Sequence, residues 1–375
     1  MQHPGSRIVV KFFTRLRINI SILLLLLAVS GQAQTGCFNA TDSGLQLSTM
    51  PSFAQRDLFF IGEFHGVHDV PAIRLALIKY LNQHEGITDV FMEMGYSAAF
   101  LYNSFLETGD TAFITHPLLV CGAKAPDRDF WMGLYDYNQT LSRHIVIHAM
   151  DFERIDFIRV LKLLSPTDAQ RPAAIAATLN YIDTLSLHAI GSLKTGLQKR
   201  QDSIYEAIRA DYEHHTSDYA AWFGDNYPIV KKMLSNPSRF SHFSQRNNTM
   251  YRNVMEQVQD EHIAKCIVVS GMAHANKEHT GSLYSLLAAS PEFTGKTTGT
   301  TMLCKNCYDW QEPEKGFAFK APYTYNKDTS FVSKLLDKYS SPDCKFPMIP
   351  ARQVNDQRVR NYSDYIILLK NQPGY

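Results

Sequence analysis

Arg56-Asp57-Leu58-Phe59-Phe60-Ile61-Gly62-Glu63-Phe64-His65-Gly66 decides how this chain is read. A short apolar run bounded by charge and by glycine predicts a buried strand. Its continuation sets a carboxylate and an imidazole where that strand ends. Working outward, residues 71–84 carry Ile73, Leu77, Ile78 and Leu81 at helical spacing. Asp89-Val90-Phe91-Met92-Glu93 is a second apolar strand. A strand–helix–strand unit of this size predicts two parallel, neighbouring strands. Residues 97–106 predict a helix, and residues 144–150 a third strand ending at Asp151. From 152 to about 262 the spacing turns helical, punctuated by Pro166, Pro172, Pro228 and Pro237. This reads as a helical insertion or cap within one domain spanning 34–375. Cys266-Ile267-Val268-Val269-Ser270-Gly271 restores the strand pattern, a helix follows at about 280–287, and residues 297–304 and 365–369 are further strands. The fold class is α/β: three layers, with a mixed, mostly parallel sheet flanked by helices.

The 375 residues are 45% hydrophobic and 19% charged, an ordinary globular composition that excludes disorder and fibrous architectures. Residues 1–33 read as a secretory signal. Arg7, Lys11, Arg15 and Arg17 form a basic front, Ile18 to Val29 is mostly apolar, and Gly31-Gln32-Ala33 supplies small residues for cleavage. The strongly apolar part is short for a membrane span. Four of the 37 basic residues and none of the 36 acidic ones lie in that segment, so the mature chain carries a net charge of −3. That balance excludes nucleic acid as a partner and argues against a membrane-surface role. The expected location is secreted or periplasmic, and the expected partner is a small-molecule substrate. All six cysteines follow the signal, and an exported chain permits disulfides. Cys266, inside a strand, reads as a buried free thiol. The Cys304-Lys-Asn-Cys307 pair reads as part of a structural bond, with Cys344 a candidate partner.

In open α/β sheets, ligands bind beyond the carboxyl ends of the strands. Glu63 and His65 follow the first strand, Glu93 closes the second, Asp151 follows the third and His274 follows Cys266–Gly271. Parallel strands would bring these groups to one edge, where they suit general acid–base chemistry or metal ligation. The structural alternatives are a buried carboxylate for Glu63 or Glu93, a helix N-cap for Asp151 and a packing role for His274. Gly62 and Gly66 on either side of Glu63 and His65 predict room for a ligand. His68 and Asp69 share that loop. His214-His215 reads as solvated surface. No Gly-x-Ser-x-Gly, Walker A or Gly-x-Gly-x-x-Gly sequence is present, which disfavours a serine triad and nucleotide binding.

These residues resemble the erythromycin esterase-like family. Gly62-Glu63-Phe64-His65-Gly66, then Phe91-Met92-Glu93-Met94-Gly95, is similar to its Gly-Glu-x-x-His-Gly and following strand. Arg246-Asn247-Asn248-Thr249-Met250-Tyr251-Arg252-Asn253 looks like its Arg-Asp-x-x-Met-Ala-x-Asn helix, and Met272-Ala273-His274-Ala275 like its Asn-Ala-His. The similarity runs over about 56–371. One residue, rather than two, separates Glu63 from His65. That spacing is closer to the haem-binding ChaN-like proteins, with Gly-Glu-x-His-Asp, and to the wider Tiki-type superfamily. The resemblance implies hydrolysis of an ester, lactone or related acyl bond. His65 would be the general base, with Glu63 and Glu93 orienting it. His274 would stabilise the oxyanion or protonate the leaving oxygen. Arg246 would neutralise carboxylates or bind substrate, with Asp151 and His68 also on the substrate side. No cofactor is expected. The alternatives it implies are a haem-binding protein without turnover, or a metallopeptidase holding a divalent ion.

Overall fold

All six residues of Leu58–Glu63 are buried, because the strand they form is covered on both faces. The computed structural model describes residues 36–41, 44–48, 55–114, 125–154, 156–167, 169–185, 197–305 and 329–370. Residues 1–33, Cys121 and Cys307 lie outside these. The described strands are β1 (Gly36–Thr41), β2 (Gly44–Leu47), β3 (Leu58–Glu63), β4 (Asp89–Met92), β5 (Val146–Ala149), β6 (Cys266–Gly271), β7 (Thr297–Lys305), β8 (Phe346–Pro350) and β9 (Tyr365–Lys370). They form one sheet in the order β2-β1-β8-β9-β7-β3-β6-β4-β5. The run from β9 to β5 is parallel, while β8, β1 and β2 continue it antiparallel.

The helix after β3, α1 (Val70–Glu85), starts where Pro71 presets φ and stops where Gly86 turns left-handed at φ 68°. Its Ile73, Leu77, Ile78 and Leu81 are buried against the sheet. Each such side chain contributes roughly 1.5–3 kcal/mol of transfer free energy. On the same face lie α2 (Tyr96–Thr108), α3 (Ala125–Asn138), α4 (Asp156–Leu164), α5 (Ala176–Thr184), α6 (Leu197–His214), α7 (Thr216–Phe223) and α8 (Tyr227–Ser235). They share one apolar core with Phe59, Ile61, Val90, Ile267 and Val269. The alternate residues Leu58, Phe60, Phe91, Cys266 and Val268 face the other layer, where α9 (Phe243–Asp260) and α10 (Leu283–Ala288) pack. A third cluster sets α11 (Thr329–Tyr339) and α12 (Gln357–Tyr362) against Ile349, Ile366 and Leu368. The helical stretch therefore divides: its last helix, α9, flanks the sheet on the face opposite to α4–α8.

Two expectations need correction. β3 and β4 are parallel but not neighbours, because β6 pairs with both: Cys266 aligns with Leu58 on one side and with Asp89 on the other. A strand buried on both faces looks the same whichever strands flank it, so local pattern carries no adjacency signal. Cys344 pairs with Cys37 and not with the Cys304 region, tying β1 to the approach of β8. Cys304 is itself disulfide-bonded, and Cys266 is free and buried. The antiparallel strands β1, β2 and β8 had no sequence expectation. In β8, Phe346-Pro347-Met348-Ile349-Pro350 carries two prolines, a residue confined in sheets to edges, strand starts and bulges.

Candidate active site

β3, β6 and β4 run side by side and in parallel, so their carboxyl ends deliver Glu63, Gly271 and Glu93 to one place. Glu63 is 4% exposed. Its Oε1 accepts a hydrogen bond from Arg74 Nη1 at 2.8 Å, and Arg74 Nη2 donates to Asp127 Oδ1 on α3 at 2.9 Å. The guanidinium lies 4.0 Å over the Phe130 ring. Glu63 Oε2 is shut off from solvent and has no donor among the described residues. Such an acceptor costs about 1–3 kcal/mol. Sequence reasoning missed Arg74 and Asp127. A signal for Arg74 was present, since it lies three and four residues before Leu77 and Ile78 and so on the buried face of α1.

His65 stands between two carboxylates. Nδ1 is 3.4 Å from Glu63 Oε1, and Nε2 is 3.4 Å from Glu93 Oε2. About half of its ring is exposed. The flanking glycines do not make room for a ligand as the sequence suggested. A Cβ on Gly62 would sit 2.6 Å from that of Ala275, so this glycine admits the segment bearing His274. Gly66 takes φ 73° in the turn into α1. The glycine that gives His65 its space is Gly271, where a Cβ would lie 2.9 Å from His65 Nε2. The Gly271 amide also donates to Glu93 Oε2 at 2.6 Å.

Glu93 Oε1 accepts from Arg246 Nη2 at 2.5 Å. Arg246 also grips Asp151 through Nε at 3.1 Å and Nη2 at 2.5 Å. Its guanidinium sits 5.5 Å from the Phe152 ring and 5.2 Å from that of Phe240. α9 reaches this point because Arg246, Met250, Asn253 and Gln257 recur on one helical face. Asn253 Nδ2 donates to the Met150 carbonyl at 3.1 Å and Gln257 Nε2 to that of Ala149 at 2.7 Å. These amides moor the helix along the end of β5. Asp151 is 1% exposed and is spent on Arg246, so it offers no surface to a ligand. His68 stands apart: its ring pairs with Asp69 at 2.9 Å, and Asp69 pairs with Lys345 at 2.8 Å.

His274 is 2% exposed. Nε2 lies 3.7 Å from Glu93 Oε1, and Nδ1 lies 2.5 Å from Asn247 Oδ1. The ring of Phe243, first residue of α9 and 41% exposed, stacks on it at 4.6 Å.

The two imidazoles are held in opposite charge states. Desolvation pulls the pKa of His65 down, but the Glu63 and Glu93 carboxylates outweigh it and push it up to about 10. Near neutral pH this ring is a cation. Desolvation also lowers His274; Glu93 pulls it back and Arg246 pushes it further down, and the net is below the usual imidazole value. That ring is neutral. Glu93 is held well below the carboxylate range although burial opposes this, with His274, His65 and Arg246 as the favourable neighbours. The attraction to His274 exists only for a protonated ring, whereas Arg246 is permanently charged. Arg246 and the cationic His65 therefore keep Glu93 ionised. A resident metal ion does not fit this donor set. Glu63 and Glu93 are each already hydrogen-bonded to an arginine, and among the described residues no three His, Cys, Asp or Glu side chains are arranged to hold one.

By sequence, the chain matches no protein-family model and no curated protein. By structure, 86% of it superposes on 92% of an erythromycin esterase variant in its open conformation, with a TM-score of 0.58 at 11% identity. A Bacillus cereus protein and a succinoglycan biosynthesis protein each match at 14% identity and a TM-score of 0.51, over 86% of this chain and 90% of theirs. At these identities the likeness establishes the fold: this is an erythromycin esterase-like α/β architecture.

Proposed function

We propose that this protein hydrolyses an ester, lactone or related acyl bond of a small molecule. The observation that carries the reading is the pair of imidazoles on either side of Glu93, one half-exposed between two carboxylates and the other buried against the Asn247 amide. The fold shared with an erythromycin esterase supports it. Water gives a proton to Nε2 of neutral His274, and the hydroxide bonds to the acyl carbon. The carbonyl electron pair moves onto oxygen, where cationic His65, open at the mouth of the site, balances the new charge. When the intermediate collapses, the leaving oxygen takes the proton from His274 and the ring is neutral again. Glu63 and Glu93 keep His65 charged and in place. Base assistance is typically worth 10²–10⁴-fold, and a preorganised cation at the oxyanion adds a further large factor.

This moves the base from His65 to His274 and the balancing of the oxyanion to His65, while His274 keeps the protonation of the leaving oxygen that the resemblance implied. The reason is charge: a ring between two carboxylates retains its proton, and a buried ring beside a guanidinium sheds it. The test is turnover of an ester and lactone panel by the mature protein and by its H65A and H274A variants. Loss in both variants is expected, and undiminished turnover in either defeats the assignment. No turnover, with a Soret band on adding haem or with chelator-sensitive peptidase activity, would replace it. The disulfides support reading 1–33 as a removed export signal; an N-terminus near residue 34 on the exported protein tests that.

A further inference from the structure

Asn247 is wholly buried on α9, next to Arg246. Its Nδ2 donates to the Gly281 carbonyl at 2.6 Å, and its Oδ1 faces His274 Nδ1 at 2.5 Å. A backbone carbonyl only accepts, so the amide nitrogen must point at Gly281 and the amide oxygen at the ring. That oxygen also only accepts, so Nδ1 must carry the proton. In the neutral ring Nε2 is then a bare lone pair, on the side of Glu93. We infer that Asn247 is the positioning residue that makes His274 a base: it fixes the Nδ1–H tautomer and withholds the negative charge that would keep the ring cationic. This rests on the proposed role of His274 in hydrolysis.

The charged and titratable groups that bear on the ring are Glu93 at the end of β4, Arg246 on α9, Asp151 after β5 and His65 after β3. Arg246 and the cationic His65 together balance Glu93 and Asp151. The residue at 247 is thus the free choice in setting the charge of His274. The motif this helix resembles has Asp at that place, and here the chain has Asn. A carboxylate there would favour the imidazolium, as an opposite charge in contact raises a pKa by ~1–3 units.

The experiment uses the mature protein with 15N-labelled histidine, together with N247D and N247L. Long-range proton–nitrogen correlations of His274 near neutral pH are expected to show Nδ1 protonated and Nε2 bare in the native chain. In N247D the titration midpoint of His274, and the acid limb of kcat/KM with it, should rise by about 1–3 pH units. In N247L the tautomer is no longer fixed, and kcat should fall on the order of 10²-fold without an upward move of that limb. A native His274 protonated on Nε2 overturns the inference, and so does an unmoved midpoint in N247D. The correlations on the native chain read the tautomer even where N247L fails to fold. They also do so where no substrate is turned over, so failure of the hydrolase reading stays distinct from failure of this one.

Discussion

Two buried histidines lie on the parallel part of the same sheet. His148, within the outermost strand β5 and opposite Phe91 of β4, is 5% exposed and stacks on Phe91 at 4.8 Å; His274, beyond the carboxyl end of β6, is 2% exposed and stacks on Phe243 at 4.6 Å. Burial and stacking do not tell them apart. Their partners do. His148 Nε2 pairs with Asp89 Oδ1 at 3.0 Å, and its Nδ1 faces Glu261 at 3.7 Å. Asp89 is held by Thr88 and Arg143 as well, and although burial opposes it, His148 and Thr88 bring it below the usual carboxylate value. That cluster is closed on itself. Around His274 the nearest carboxylate is held by Arg246, the ring's own partner is a neutral amide, and Gly271 leaves space for a second, half-exposed histidine. The role proposed for His274 rests on which of its neighbours are charged and which are neutral.

The largest effect that tests this contrast is on turnover. H65A and H274A should each lose 10²–10⁴-fold in kcat/KM, while H148Q keeps it within about threefold and lowers only thermal stability; kinetics paired with melting curves decide. A comparable loss in H148Q would erase the distinction between the two histidines. Next, G271A places a methyl 2.9 Å from His65 Nε2. The ring must move to relieve that contact, and because misplacing a reacting group by about 1 Å costs on the order of 10²-fold, a loss of up to that size in kcat is expected against little change in melting temperature. The pH–rate profile sharpens the contrast further. Activity should rise with an acid limb below the usual histidine pKa, as His274 loses its proton, and fall only near pH 10, as His65 does. A single rise near pH 10 would mean that His65 is the base.

The smallest effect is on stability. The folded pKa of His65 lies above its unfolded value, so its stabilising contribution is complete below about pH 6.5 and disappears as pH rises through about 10. The ring is half exposed, which limits the contribution to about 1 kcal/mol. Urea unfolding of the native chain and H65Q should therefore diverge at pH 6 and converge at pH 10.

Glu63, His65, Glu93, Asp151 and His274 could be picked out from sequence because each follows a buried apolar run, and parallel strands align such ends. Arg246 was legible only through the helix motif it resembles. Asn247 stood in that motif without a role, since its meaning depends on Gly281 and His274, both distant in sequence. Gly271 looked like an ordinary strand terminus, because the side chain it makes way for comes from another strand. The order of the sheet was the least legible feature: β6 enters between β3 and β4 from about 170 residues downstream.

Alternation of apolar residues, helix stops such as Gly86 and the charges at strand ends lie within a few residues of one another, so the chain alone determines the α/β class, the elements and the candidate groups. Which histidine is charged is a different kind of fact. It depends on distances between groups tens to hundreds of residues apart, His65 to Glu93 and His274 to Asn247 among them, and on how much water reaches each ring. Electrostatic energies fall with separation and rise with exclusion of solvent, and both quantities come into being only when the sheet has closed.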